Sequence, residues 1–97
     1  MSAMEIADWR KKIDELDQTL LELLNKRANY SLEIGKIKKA AGMAVYDPKR
    51  EEQIFLRLAQ LNNGPMSDQA VRRLFERIID ESRHIEKEMM KAKGKKS

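Results

Sequence analysis

Arg27 occupies a position where a packing residue is expected. It falls in a row whose other members are Ile6, Trp9, Ile13, Leu16, Leu20, Leu23, Tyr30, Ile34, Ile37 and Ala41, spaced alternately by three and four. A guanidinium stays charged at any physiological pH, and facing it into a packing surface is costly unless an anion meets it. Lys38 follows eleven residues later. That is about three turns of α-helix, so both cations lie on one face, roughly 16 Å apart along the axis. One further row is broken by a polar group. Ser82 interrupts Val71, Phe75, Ile78, Ile85 and Met89, and Glu86 comes one turn after it on the same side. Asp47, Arg50 and Glu51 cluster at a helix start. Cations, carboxylates and a hydroxyl brought together between helices suit a small polyanion that bears hydroxyl groups.

Each residue also has a plain structural reading. An arginine in a seam can set register or snorkel to water. Lys38 near a helix C-terminus complements the dipole. Ser82 can bond back to its own backbone. Glu86 can pair with Arg83, Lys87 or Lys91 at the surface. Asp47 serves as a helix cap, and Arg50, Glu51 and Glu52 can form a solvated face. These readings explain the positions singly; they do not explain why every helix carries such an anomaly. Trp9, Tyr30, Phe55 and Phe75 read as core, and His84 as an exposed residue beside the third row.

The elements that must position these groups are three helices: one long, one short and one of medium length. The first spans Ile6 to Ala41–Gly42, with Gly42 suited to the left-handed residue after a helix end and Lys36, Lys38 and Lys39 in the last turns. Asp47-Pro48 starts the second, as a cap followed by a proline at the first helical position. It runs to Leu61, where Asn62-Asn63-Gly64-Pro65 stops it. Ser67 and Asp68 open the third, which ends near Met90. No strand pattern and no repeat is present, so the fold class is all-α. Residues 1–90 form the domain, and 91–97 a basic tail expected to fray.

The chain has 97 residues, enough for one domain. Its first helix is about 54 Å long at about 1.5 Å per residue, against a radius of gyration of about 13 Å for a compact chain of this size. The apolar seam therefore needs a partner, and a symmetric, intertwined homodimer is the expectation. No apolar run approaches the roughly 18 residues of a membrane span, and the start, with Glu5 and Asp8, lacks a signal-peptide core. The absence of cysteine excludes thiolate chemistry and fits a reducing, cytoplasmic setting; a single His excludes a His-rich metal site within one chain. The net charge of +4 comes wholly from Lys91, Lys93, Lys95 and Lys96, because the other basic residues balance the 16 acidic ones. A nucleic-acid binder carries its basic stripe on the folded part, so no nucleic-acid and no membrane partner is expected.

In order and type these residues resemble the all-helical chorismate mutase family. The resemblance covers about Ile6 to Met90. It is carried by Arg10-Lys11-Lys12-Ile13-Asp14-Glu15-Leu16-Asp17, by Leu23-Leu24-Asn25-Lys26-Arg27 and by Ile34-Gly35-Lys36-Ile37-Lys38. It continues through Val45-Tyr46-Asp47-Pro48-Lys49-Arg50-Glu51 and Leu74-Phe75-Glu76-Arg77-Ile78-Ile79-Asp80-Glu81-Ser82. What it implies is an intertwined homodimer, of the free-standing bacterial type, that converts chorismate to prephenate on the route to phenylalanine and tyrosine. This Claisen rearrangement is pericyclic and uses no metal, nucleophile or redox cofactor. It needs a folded substrate conformer and positive charge at the breaking ether bond.

By the same resemblance Arg27 binds one substrate carboxylate, and Arg10 of the other subunit binds the second. Lys38 sits between a carboxylate and the ether oxygen, and Ser82 donates to a carboxylate. Glu51 and the Asp47 backbone hold the ring hydroxyl, and Arg50 supports the site electrostatically. The second contact to the ether oxygen falls on Glu86, where many bacterial members have Gln and the fungal enzymes have Glu. Only a protonated Glu86 can donate to that oxygen, so activity is expected to favour mildly acidic pH. The competing functions are isochorismate-pyruvate lyase, which shares the fold, and a non-catalytic helical dimerisation module. The Asp47, Arg50 and Glu51 cluster resembles the mutases more than the lyase.

Overall fold

A computed structural model describes residues 5–91. Three helices account for most of them: α1, Ile6–Ala41; α2, Pro48–Leu61; and α3, Asp68–Lys91. The limits match those expected from local capping, and α3 extends one residue beyond Met90. The remaining tail residues, Lys93, Lys95 and Lys96 among them, lie outside the described residues. Among the described residues, no helix is long and apolar enough to cross a membrane.

The chain divides into two compact units after Tyr30. The first consists of α1 up to that residue. Its start is fixed locally: the Glu5 carbonyl accepts from the Asp8 and Trp9 N–H groups, and the Asp8 carboxylate accepts from the Glu5 N–H at 2.9 Å. An acidic residue in the first turn also complements the positive end of the helix dipole. The seam residues are open to solvent in the single chain: Trp9 is 54% exposed, Leu16 68% and Tyr30 58%. The expectation that Trp9 and Tyr30 are core residues therefore fails within one chain. A single helix has nothing of its own unit to bury its apolar stripe against.

The second unit runs from Ser31 onward. Here α1 ends in a Schellman turn. Gly42 takes φ +68°, its N–H donates to the Lys39 carbonyl, and the Met43 N–H reaches the Lys38 carbonyl at 2.8 Å. Asp47 caps α2 by accepting from the Arg50 N–H at 3.1 Å, with Pro48 at the first helical position. After α2, Asn62 organises the turn. Its amide donates to the Met66 carbonyl at 2.9 Å and to Asp68 Oδ1 at 2.7 Å, while its own oxygen accepts from the Gly64 N–H. Ser67 Oγ then caps α3 by accepting from the Ala70 N–H.

Helices α2 and α3 pack against each other. Ile54 and Ile79 are the buried apolar pair, and the Arg72 guanidinium lies 4.1 Å from the centre of the Phe55 ring. The end of α1 joins this packing through two small residues one turn apart, Ser31 and Gly35, both buried. A Cβ on Gly35 would stand 3.3 Å from Glu86 Cα and 3.1 Å from Met89 Cγ. A side chain there would push α3 or Met89 back by a few tenths of an ångström, and the close approach brings Glu86 opposite the last turns of α1.

Candidate active site

The most enclosed charged groups of the second unit form one pair. Lys38 Nζ lies 2.8 Å from Glu86 Oε1, with the two side chains 13% and 11% exposed. The same ammonium donates to the Val45 carbonyl at 2.9 Å. Lys38 thus has two acceptors, one from α3 and one from the α1–α2 connector. Its position is set before any ligand arrives. The sequence alternatives for Glu86 were surface lysines or Arg83; instead Lys91 is 3.9 Å from Glu88, and Arg83 faces α2.

A second charge pair lies one turn earlier on α3. Arg83 Nε is 3.4 Å from Glu51 Oε2, its Nη2 donates to Asp80 Oδ1 at 3.3 Å, and its guanidinium lies 5.6 Å from the centre of the Tyr46 ring. Arg83 was not among the sequence-derived candidates. The available signal was its position, next to Ser82 and three residues before Glu86, which puts it on the site-facing side of α3.

Among the other candidates, Glu51 is half-buried, Arg50 is exposed, and the Asp47 side chain is engaged as the α2 cap. The Asp47 carbonyl accepts from the Glu51 N–H at 3.1 Å. Ser82 Oγ donates to the Ile78 carbonyl at 3.1 Å, so it must turn to reach a ligand. His84 is exposed. Arg10 and Arg27 belong to the first unit; Arg10 is exposed and Arg27 half-buried. The second unit thus joins Lys38 of α1 to Glu86 of α3, with Ser82 one turn before Glu86, and links Glu51 of α2 to α3 through Arg83, with Asp47 at the start of α2. A fixed ammonium beside hydrogen-bonding groups can bind an anion and stabilise negative charge that grows on a neighbouring oxygen.

The family model described as chorismate mutase type II matches residues 9–87. The chain belongs to this family. The bifunctional chorismate mutase/prephenate dehydratase of Neisseria gonorrhoeae is 40% identical over 78 residues, which cover 80% of this chain and 21% of that protein. The chain thus spans about a fifth of this curated relative, and 25% of the bifunctional relative from Aquifex aeolicus. The chorismate mutase of Methanocaldococcus jannaschii is 29% identical over 87 residues, covering 89% of this chain and 88% of that one. Among solved structures, Thermus thermophilus chorismate mutase superposes with a TM-score of 0.83 at 36% identity, over 84% of this chain and 93% of the other. Helicobacter pylori chorismate mutase in complex with prephenate gives 0.82 at 30% identity, over 89% and 93% of the two chains. The all-helical fold of the type II chorismate mutases is therefore the fold of this chain.

Proposed function

We propose that this chain is a chorismate mutase that rearranges chorismate to prephenate. The observation that carries the reading is Lys38, an ammonium held nearly out of solvent by Glu86 and Val45 in a chain of this family. In the rearrangement the ether C–O bond breaks as a C–C bond forms, and negative charge grows on the ether oxygen. Lys38 directs the N–H left over from Val45 and Glu86 between that oxygen and a substrate carboxylate. Glu86 contacts the oxygen from the other side, and Ser82 turns from Ile78 to donate to a carboxylate. Glu51 and the Asp47 carbonyl accept from the ring hydroxyl, while Arg50 adds positive potential. Arg27 pairs with one carboxylate.

Arg10 comes from a second copy of the chain and pairs with the other carboxylate. The exposed α1 seam supports this intertwined homodimer, because apolar stripes of this extent are covered in stable proteins. Residues 1–90 are the catalytic domain, 91–97 a basic tail, and the cysteine-free chain suits the cytoplasm. No cofactor takes part.

Product analysis tests the reaction class. Chorismate should yield prephenate; salicylate and pyruvate from isochorismate, with no prephenate from chorismate, would make the chain a lyase instead. Glu86 supplies a second test. As a carboxylate it accepts from Lys38, and only its neutral form can also donate to the ether oxygen. Glu86→Gln, which always carries an N–H donor, should therefore keep or raise kcat, whereas Glu86→Ala should lower it. A kcat that falls equally in the Gln and Ala variants would remove Glu86 from this role.

A further inference from the structure

We infer that Arg83 is a positioning residue that holds the Glu51 carboxylate ready for the substrate's ring hydroxyl. The inference rests on the mutase reading and extends it to a residue outside the proposed substrate contacts. Glu51 lies on α2, and its side chain is 20% exposed. A lone carboxylate there has several rotamers, and only some can face a ligand. Arg83 narrows the choice. Its Nε is 3.4 Å from Glu51 Oε2, and that nitrogen is sealed from solvent.

The Nε–H is within ion-pairing distance of Glu51 but makes no hydrogen bond. A sealed, unsatisfied donor is unfavourable, so a small reorientation of Glu51 that aligns the bond is favoured. Asp80 holds the far end of the guanidinium, and the Tyr46 ring lies beside it. The arginine is therefore braced on α3 and against the connector before α2. It stands three residues from Glu86, so neighbouring positions of α3 hold the site's two charge pairs, one to α1 and one to α2.

A side chain that acts through Glu51 should govern substrate affinity more than the chemical step. Steady-state kinetics on the intact protein test this with Arg83→Ala, Arg83→Lys, Glu51→Ala and the double variant. Arg83→Ala should raise KM for chorismate about tenfold, the loss of roughly one well-placed hydrogen bond, with kcat within about threefold of wild type. Arg83→Lys, which keeps the charge, should recover most of the affinity. In the Glu51→Ala background, Arg83→Ala should add less than about twofold. If the Ala variant melts early, Arg83→Met keeps the packing beside Tyr46 and reads the same effect. An active wild type whose Arg83→Ala and Arg83→Met forms keep its KM, or whose tenfold rise persists without Glu51, overturns the inference alone. A wild type inert toward chorismate overturns the mutase reading and this inference with it.

Discussion

Lys38→Ala is expected to lower kcat about a thousandfold, the scale seen when a preorganised donor to developing charge is removed. Lys38 is placed by two partners, Glu86 Oε1 at 2.8 Å and the Val45 carbonyl at 2.9 Å. The substitution also leaves the Glu86 carboxylate enclosed without its cation, a change that costs about 3 kcal/mol in comparable buried pairs. Lys38→Arg separates the two effects. It keeps a positive charge for Glu86, so the melting temperature should stay near that of wild type. The flat guanidinium cannot place a donor where the ammonium was, so kcat should still fall about a hundredfold. Turnover near wild type in the Arg variant would mean that charge alone, and not the position of this donor, drives the step.

The second large effect comes from mixing two inactive variants. If each site takes Arg27 from one chain and Arg10 from the other, both Arg10→Ala and Arg27→Ala homodimers lack one carboxylate partner in both sites. Unfolding and refolding them together yields mixed dimers. In a mixed dimer one site collects both intact arginines, and the other collects neither. With random pairing about half of the dimers are mixed, so about a quarter of wild-type activity should return from two nearly inactive preparations. No recovery on mixing, with dimers confirmed by mass, would place both arginines in sites built from a single chain. The exposed seam of Ile6, Trp9, Ile13 and Leu16 gives the proposed dimer a physical basis beside the catalytic one.

The helix limits were legible because their signals are local. Asp47-Pro48 opens α2, Ser67 caps α3 and Gly42 closes α1, each through bonds spanning three to five residues. The anomalies at Arg27 and Ser82 were legible too, since a polar residue in an apolar row stands out against the helical period, and Lys38 and Glu86 followed from their helical spacing to these two. Their partners were not. Glu86 meets a lysine 48 positions away, a pairing that depends on α3 lying against Gly35. Periodicity carries no information on which two helices touch at a glycine. Arg83 escaped notice for a related reason: it sits in no apolar row, and its link to Glu51 exists only once α2 and α3 have packed. Trp9 and Tyr30 show the converse limit. The heptad rule finds an apolar face but not which chain covers it.

The most direct test follows chorismate absorbance with the purified wild-type chain beside its Arg27→Ala variant, with circular dichroism on both. Wild type should consume chorismate and accumulate prephenate, while the variant, equally helical, should lose nearly all turnover. Chorismate left untouched by a folded wild-type dimer, or consumed equally fast without Arg27, would contradict a dicarboxylate site built on this helix.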